Sequence, residues 1–198
     1  LNSIAISPDY RTVASSAEGG DIQLWDIESG RIIRNLEGYI QPVLAVEVMP
    51  DGRHMLIGSK DRNMTLWDLE TGQLVRTFQR SSDVNHIDVS EDGKYMVTTS
   101  QHTKFVKYWN FNSGNIVRTL MEKNENVIWA KFDEDPDHVL AATETGALKR
   151  WSVSENKIKK NLKEDFRAYE DKFRSGSFQC DLDSYEIRVS NKGNTLIS

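Results

Sequence analysis

The chain has 198 residues, with 25 lysines and arginines against 30 aspartates and glutamates, one cysteine and a formal charge of −5. At 38% hydrophobic and 28% charged, it has the composition of a folded chain rather than a disordered one. A negative balance gives no field to draw in a phosphate backbone, no apolar run approaches the ~20 residues that span a bilayer, and Cys180 has no second cysteine to bond. The composition therefore predicts no direct nucleic-acid contact, no membrane insertion and a reducing, intracellular setting, cytoplasmic or nuclear.

In chain order, the predicted elements are short strands. The first unit, residues 1–37, opens with Ile4-Ala5-Ile6-Ser7, reaches a tryptophan strand at Trp25, turns at Gly30 and closes at Leu36. The second, 38–79, alternates apolar and polar at Val46-Glu47-Val48, as a half-buried strand does. It turns at Pro50-Asp51-Gly52, where glycine supplies the positive φ of a tight turn, runs a second strand to Gly58 and a third through Trp67, then turns at Gly72 into Gln73 to Phe78. The third, 80–121, repeats this with Ile87-Asp88-Val89, Glu91-Asp92-Gly93, Thr98, Trp109, Gly114 and Leu120. The fourth, 122–162, has Trp151, Asn156 in place of the glycine, and Leu162. Trp25, Trp67, Trp109 and Trp151 stand 42 residues apart, in segments reading LWDIESGRIIRNL, LWDLETGQLVRTF, YWNFNSGNIVRTL and RWSVSENKIKKNL.

A four-stranded antiparallel unit repeated at this pitch with Trp25-Asp26 and Trp67-Asp68 resembles the WD40 repeat, with Trp109-Asn110 and Trp151-Ser152 as variants. The resemblance implies an all-β propeller of blades. The tryptophans, as large aromatics at fixed pitch, are expected to fill the space between neighbouring blades. The metre breaks once. Ile187-Arg188-Val189-Ser190 matches Ile4-Ala5-Ile6-Ser7 at an offset of 183, fifteen more than four periods, so 163–181 is an inserted loop and 182–198 starts a fifth blade. About four and a half blades are expected, as part of a larger ring of the seven-bladed type. Within the insertion, Phe166, Tyr169 and Phe173 fall at helical spacing and are candidates for partner contact, against the alternative of a loop lying over its own blade.

The resemblance also shows what is missing. WD40 blades join a histidine before the first strand to a turn aspartate, a Ser or Thr and the tryptophan. Here the second unit has Gly38-Tyr39 at the Gly-His position, no unit has the histidine, and only Asp61 holds the aspartate position, against Gly19, Thr103 and Thr145. No blade assembles the full network, so apolar packing is expected to carry more of a modest stability. The series Arg34, Arg76, Arg118 and Lys160 on the fourth strands is expected to protect exposed edges or pair locally rather than to bind. The basic cluster Lys157, Lys159, Lys160 and Lys163 reads as a solvated face.

Catalytic chemistry has little to start from. His54, His86, His102 and His138 fall in different units with no metal-ligand spacing, and no phosphate cradle or nucleophile elbow is present. The chain is expected to be non-enzymatic and to need no cofactor and no metal. What the resemblance implies instead is a rigid platform for other proteins, as a scaffold within a multi-subunit assembly. An alternative is a sensor propeller restraining a nucleotide-driven switch module. Contact positions carried over from the family are Glu18, Lys60, His102 and Glu144 in the second-to-third-strand turns. Ile40, Pro42, Ser81, Asp83, Asn124 and Asn126 add to them before the first strands. The Trp-Asp-x-Arg box of ubiquitin-ligase receptors is absent, because Glu28 and Glu70 stand where the arginine belongs.

Overall fold

The structure, a computed structural model, describes residues 1–17, 19–36, 41–78, 83–100, 102–122, 124–161, 188–189 and 196–197, and every element among them is a strand. The first sheet comprises β1 (Ser3–Ile6), β2 (Thr12–Ser16), β3 (Ile22–Asp26) and β4 (Ile32–Leu36). The second has β5 (Val43–Val48), β6 (His54–Ser59), β7 (Met64–Asp68) and β8 (Leu74–Thr77). The third has β9 (Val84–Val89), β10 (Tyr95–Ser100), β11 (Phe105–Asn110) and β12 (Asn115–Met121). The fourth has β13 (Val127–Phe132), β14 (His138–Thr143), β15 (Leu148–Ser152) and β16 (Lys157–Asn161). Each is an antiparallel meander in sequence order. The first strands lie side by side, β1 on β5, β5 on β9 and β9 on β13, which makes the sheets radial blades around a common axis in an open arc. A further pair, β17 (Arg188–Val189) and β18 (Leu196–Ile197), joins Val189 to Leu196. That reproduces, 183 residues on, the pairing of Ile6 with Val13 in the first blade.

The core lies between blades rather than within them, because a single sheet has nothing to bury its faces against. Val46, Met55, Ile57 and Trp67 of the second blade pack on Ala14, Ile22 and Leu24 of the first. Met96 and Trp109 of the third pack on Leu56, Met64 and Leu66 of the second, and Val139, Ala141 and Trp151 of the fourth pack on Val97 and Val106 of the third. Trp67, Trp109 and Trp151 each face the preceding blade, while Trp25 is half-buried. At the second seam the strands approach closely enough that a Cβ on Gly58 would lie 2.8 Å from Val84 Cγ1, so only glycine fits there.

In the absence of the histidine network, three indoles donate to hydroxyls: Trp25 Nε1 to Ser15 Oγ at 2.8 Å, Trp67 to Thr65 and Trp109 to Thr98, both at 3.0 Å. The residue after each tryptophan caps the following turn. Asp68 accepts from Thr71 N at 2.7 Å and Thr71 Oγ1 at 3.0 Å, and Asp26 and Asn110 accept from Ser29 N and Ser113 N, both at 2.8 Å. Ser152 Oγ accepts from Glu155 N at a longer 3.2 Å. A short side-chain acceptor is what the position needs, which is why Asn and Ser replace Asp there.

All four third-to-fourth-strand pairings carry a bulge just before the tryptophan, leaving Ile33, Val75, Val117 and Lys159 as extra residues on the outer strand. The bulge exposes an adjacent pair on each outer strand and re-aims the basic residue that follows. Arg34 reaches the next blade's turn, donating to Glu70 O at 2.7 Å and Thr71 O at 3.4 Å. Arg76 does the same to Phe111 O at 3.0 Å and Asn112 O at 2.9 Å. The cationic series expected to guard edges or pair locally thus includes two clamps between blades. Each lies against a glycine of the clamped turn, Gly72 at φ 71° and Gly114 at φ 72°.

Candidate functional site

The two sets of expected contact positions meet on one face of the arc. The loop before the first strand and the second-to-third-strand turn are tied backbone to backbone at repeat-equivalent places, Lys60 N to Pro42 O at 3.0 Å and Glu144 N to Asn126 O at 3.1 Å. Asn126 Nδ2 also donates to Glu144 Oε2 at 2.9 Å. Asp83 faces Arg62 of the second blade, Oδ1 to Nε 3.6 Å, in the same zone. His102 takes φ 58° in its turn and, with Asn124, stands exposed. Glu18, Ile40, Ser81, Phe166, Tyr169 and Phe173 lie outside the described residues. Asp61 holds its own turn, accepting from Asn63 N at 2.8 Å and Asn63 Nδ2 at 3.0 Å.

The fourth blade places on this face a polar cluster that the sequence reading did not identify. Lys149 Nζ lies 2.8 Å from Glu122 Oε2 and 3.9 Å from Glu125 Oε2, with only 10% of the lysine side chain and 5% of the Glu122 side chain exposed. Glu125 Oε2 also accepts from Thr143 Oγ1 at 2.5 Å and Thr145 Oγ1 at 2.8 Å. Thr145 stands where the family's turn aspartate belongs, so the acidic partner is supplied from the preceding loop instead. The expectation that apolar packing substitutes for buried polar bonds is thus modified in this blade: a different ionic network replaces the missing one. Lys149, two residues before Trp151, would have had to be recognised as a buried cation on a strand otherwise holding Leu148 and Trp151 inside.

A second group lies along the inner strands. Glu47, Asp88 and Lys131 pair with Leu56, Val97 and Leu140 respectively, so they occupy one level on β5, β9 and β13. Asp88 Oδ2 accepts from Phe132 N of the fourth blade at 2.7 Å, and Lys131 Nζ lies 4.0 Å from Asp88 Oδ1. Burial raises the carboxyls of both Glu47 and Asp88, with the Asp88 charge adding to the rise at Glu47 and Lys131 opposing it at both. Burial, reinforced by Lys131, depresses the His86 imidazole to about 3, and its ring packs on Trp129 with centroids 5.5 Å apart. These groups pin blades together and carry no convergent nucleophile or base. Among the described residues no three His, Cys, Asp or Glu side chains are grouped to hold a metal, and no helix is long and apolar enough to cross a membrane.

Comparison with known proteins agrees with the blade geometry. The family model "WD domain, G-beta repeat" matches residues 1–26, 30–68 and 72–110, together more than half of the chain. The chain is 24% identical over 156 residues to Autophagy-related protein 16 of Arabidopsis thaliana, an alignment covering 76% of this chain and 30% of that protein. It is 21% identical over 148 residues to Cilia- and flagella-associated protein 52 of Mus musculus, covering 75% of this chain and 17% of that protein. The chain thus spans less than a third of the length of either relative. With the period, the four-stranded blades and the family match in agreement, the chain belongs to the WD40-repeat family.

Proposed function

We propose that this chain is a non-catalytic interaction scaffold, serving as a protein-binding part of a larger intracellular assembly. The observation that carries the reading is how the polar groups are used. Buried groups such as Lys149, Glu122 and Asp88 are engaged within and between blades, while the face bearing Lys60, His102, Asn124 and Glu144 is left exposed and mixed in charge. Such a surface suits a distributed interface rather than a deep anchor pocket, because large aromatic and arginine anchors are sparse on it. The relatives' names, one referring to autophagy and the other to cilia and flagella, accord with assembly-bound roles. The test is affinity purification of the full-length protein under gentle cross-linking. Cross-links from Lys60 to a stoichiometric protein partner are expected. A protein that purifies without a partner, or whose cross-links all leave from other surfaces, refutes the assignment of this face.

A further inference from the structure

Three of the four blades carry the same outer-strand pattern, an exposed aliphatic pair followed by arginine: Ile32-Ile33-Arg34, Leu74-Val75-Arg76 and Ile116-Val117-Arg118. In the first two, the arginine is engaged by the next blade's turn. In the third it is not: Arg118 is exposed and its Nη1 donates to Val117 O of its own strand at 3.4 Å. The turn facing it lacks the glycine of the other two. A Cβ on Gly72 would lie 2.9 Å from Arg34 Cδ, and one on Gly114 would lie 2.5 Å from Arg76 Nη2, so each clamp lies against the bare face of a glycine and a side chain there would push the arginine aside. The fourth blade has Asn156 at that repeat position, at φ 51°, so a side chain is present where the first two clamps meet a bare glycine.

The released arginine sits on an unusual edge. β12, at 7 residues, is the longest strand among the described residues, and it is the outermost strand of its sheet, so its outer backbone groups have no strand partner. It is exposed along most of its length, with Ile116 and Val117 both at 44% and Met121 at 59%. The following blade presents Lys157 and Lys159, also exposed, of which Lys159 leans on Glu155. In a chain with a formal charge of −5, an exposed arginine thus stands on an apolar, open strand edge, with two exposed lysines on the outer strand of the following blade.

We propose that this rim is a docking edge for an extended acidic segment of a partner protein, which adds as a strand to β12 with its carboxylates toward Arg118 and Lys157. Edge addition supplies backbone hydrogen bonds whatever the sequence, alternate apolar side chains of the segment cover Ile116 and Val117, and the cations select acidic residues between them. Arg118 gives the forked donor that matches a carboxylate. This deepens the scaffold reading and rests on it, naming a second surface away from the Lys60 face and the chemistry that fits it.

The test uses the full chain and a labelled dodecapeptide alternating valine with glutamate, followed by fluorescence anisotropy. Binding is expected, weakening with salt, and lost on replacing each glutamate by lysine or on N-methylating alternate amides. Arg118→Ala is expected to weaken binding about five- to tenfold, as loss of a charge-assisted contact does. Arg76→Ala, whose guanidinium is already engaged, leaves binding unchanged. Asn156→Gly is the sharpest arm: it reopens the clamp, drawing Arg118 onto the turn, so peptide affinity falls while the melting temperature rises by about 2–4 °C. Equal binding of the lysine peptide, or affinities unmoved by both Arg118→Ala and Asn156→Gly, overturns the proposal. So does self-association abolished by Arg118→Ala without peptide binding, which makes a second copy the occupant. Partners cross-linked only through the Lys60 face would remove this edge and leave the scaffold reading standing.

Discussion

The arginine clamp predicts a specific non-additivity. Arg76 donates to Phe111 O and Asn112 O at 3.0 and 2.9 Å, and its guanidinium carbon lies 4.7 Å from the centroid of the Phe78 ring. The guanidinium is half-exposed and the carbonyls belong to a surface turn that water re-enters, so the two hydrogen bonds contribute about 1 kcal/mol together rather than their buried value. The cation–π contact adds about 0.5–1 kcal/mol. Arg76→Ala therefore costs about 1.5–2 kcal/mol, which for a domain of this size lowers the melting temperature by roughly 3–8 °C. Gly114→Ala costs about 1–2 kcal/mol from its φ of 72° alone, and more because the new Cβ would meet Arg76 Nη2 at 2.5 Å and displace the clamp. Once Arg76 is gone, only the backbone cost remains. The double variant, followed by urea and thermal unfolding, should be more stable than the sum of the single losses by about 1 kcal/mol. Additivity within about 0.3 kcal/mol would refute the clamp as an energetic unit.

Further outcomes follow from the seams. The folded-state values of Glu47 and Asp88 are raised above ordinary values of 4.5 and 3.8, so the folded chain retains protons that the unfolded chain has released. This contribution is fully present below those ordinary values and is lost as pH rises through the raised ones, so Glu47→Gln should flatten the alkaline fall of stability in a pH series of urea midpoints. His86 works in the opposite direction. With its value depressed to about 3, its contribution is present above 6.5 and declines as pH falls, so His86→Gln should flatten part of the acid limb. Lys149→Met removes the cation between Glu122 and Glu125 and should cost about 3–5 kcal/mol by urea unfolding at pH 7, with part regained in a Glu122→Gln background. Gly58→Ala puts a Cβ 2.8–2.9 Å from Val84 and should cost about 1–3 kcal/mol; an unchanged melting curve would mean the seam is looser than its geometry.

The blade was legible in the sequence because its signals are local and repeated. Trp67 with Asp68, the turn at Pro50-Asp51-Gly52 and the alternation of Val46-Glu47-Val48 each depend on neighbours within a few residues, and the period multiplies them. What escaped depends on residues about one period apart. Arg76 is engaged beside Gly114 and Arg118 faces a turn with Asn156 at the same repeat position, each 38 residues downstream of its arginine in sequence. Glu47 read as the polar member of a half-buried strand, but it lies on the level shared with Asp88 and Lys131, where polar alternation places charge against the next blade rather than in water. The Glu122–Lys149–Glu125 cluster was hidden for a related reason. The histidine network's absence was visible, but its replacement draws on a loop glutamate and a strand lysine at positions where the family pattern carries no expectation.

The seams also differ in how their rims are held. Between the first and second blades, and again between the second and third, an outer-strand arginine closes the rim end. Between the third and fourth, Arg118 does not reach the next turn, and the inner end is held by Phe132 N to Asp88 at 2.7 Å and Thr99 Oγ1 to Ile128 O at 3.3 Å, much as Val46 N to Ser3 Oγ at 3.2 Å and Asn2 Nδ2 to Val43 O at 2.9 Å hold the inner end of the first seam. Tyr108 adds an aromatic bridge there, 5.1 Å from Tyr95 and 5.7 Å from Phe132 between centroids. The third-to-fourth seam is therefore closed at its inner end without an arginine at its rim, and that leaves an outer strand and its arginine free to hold something else.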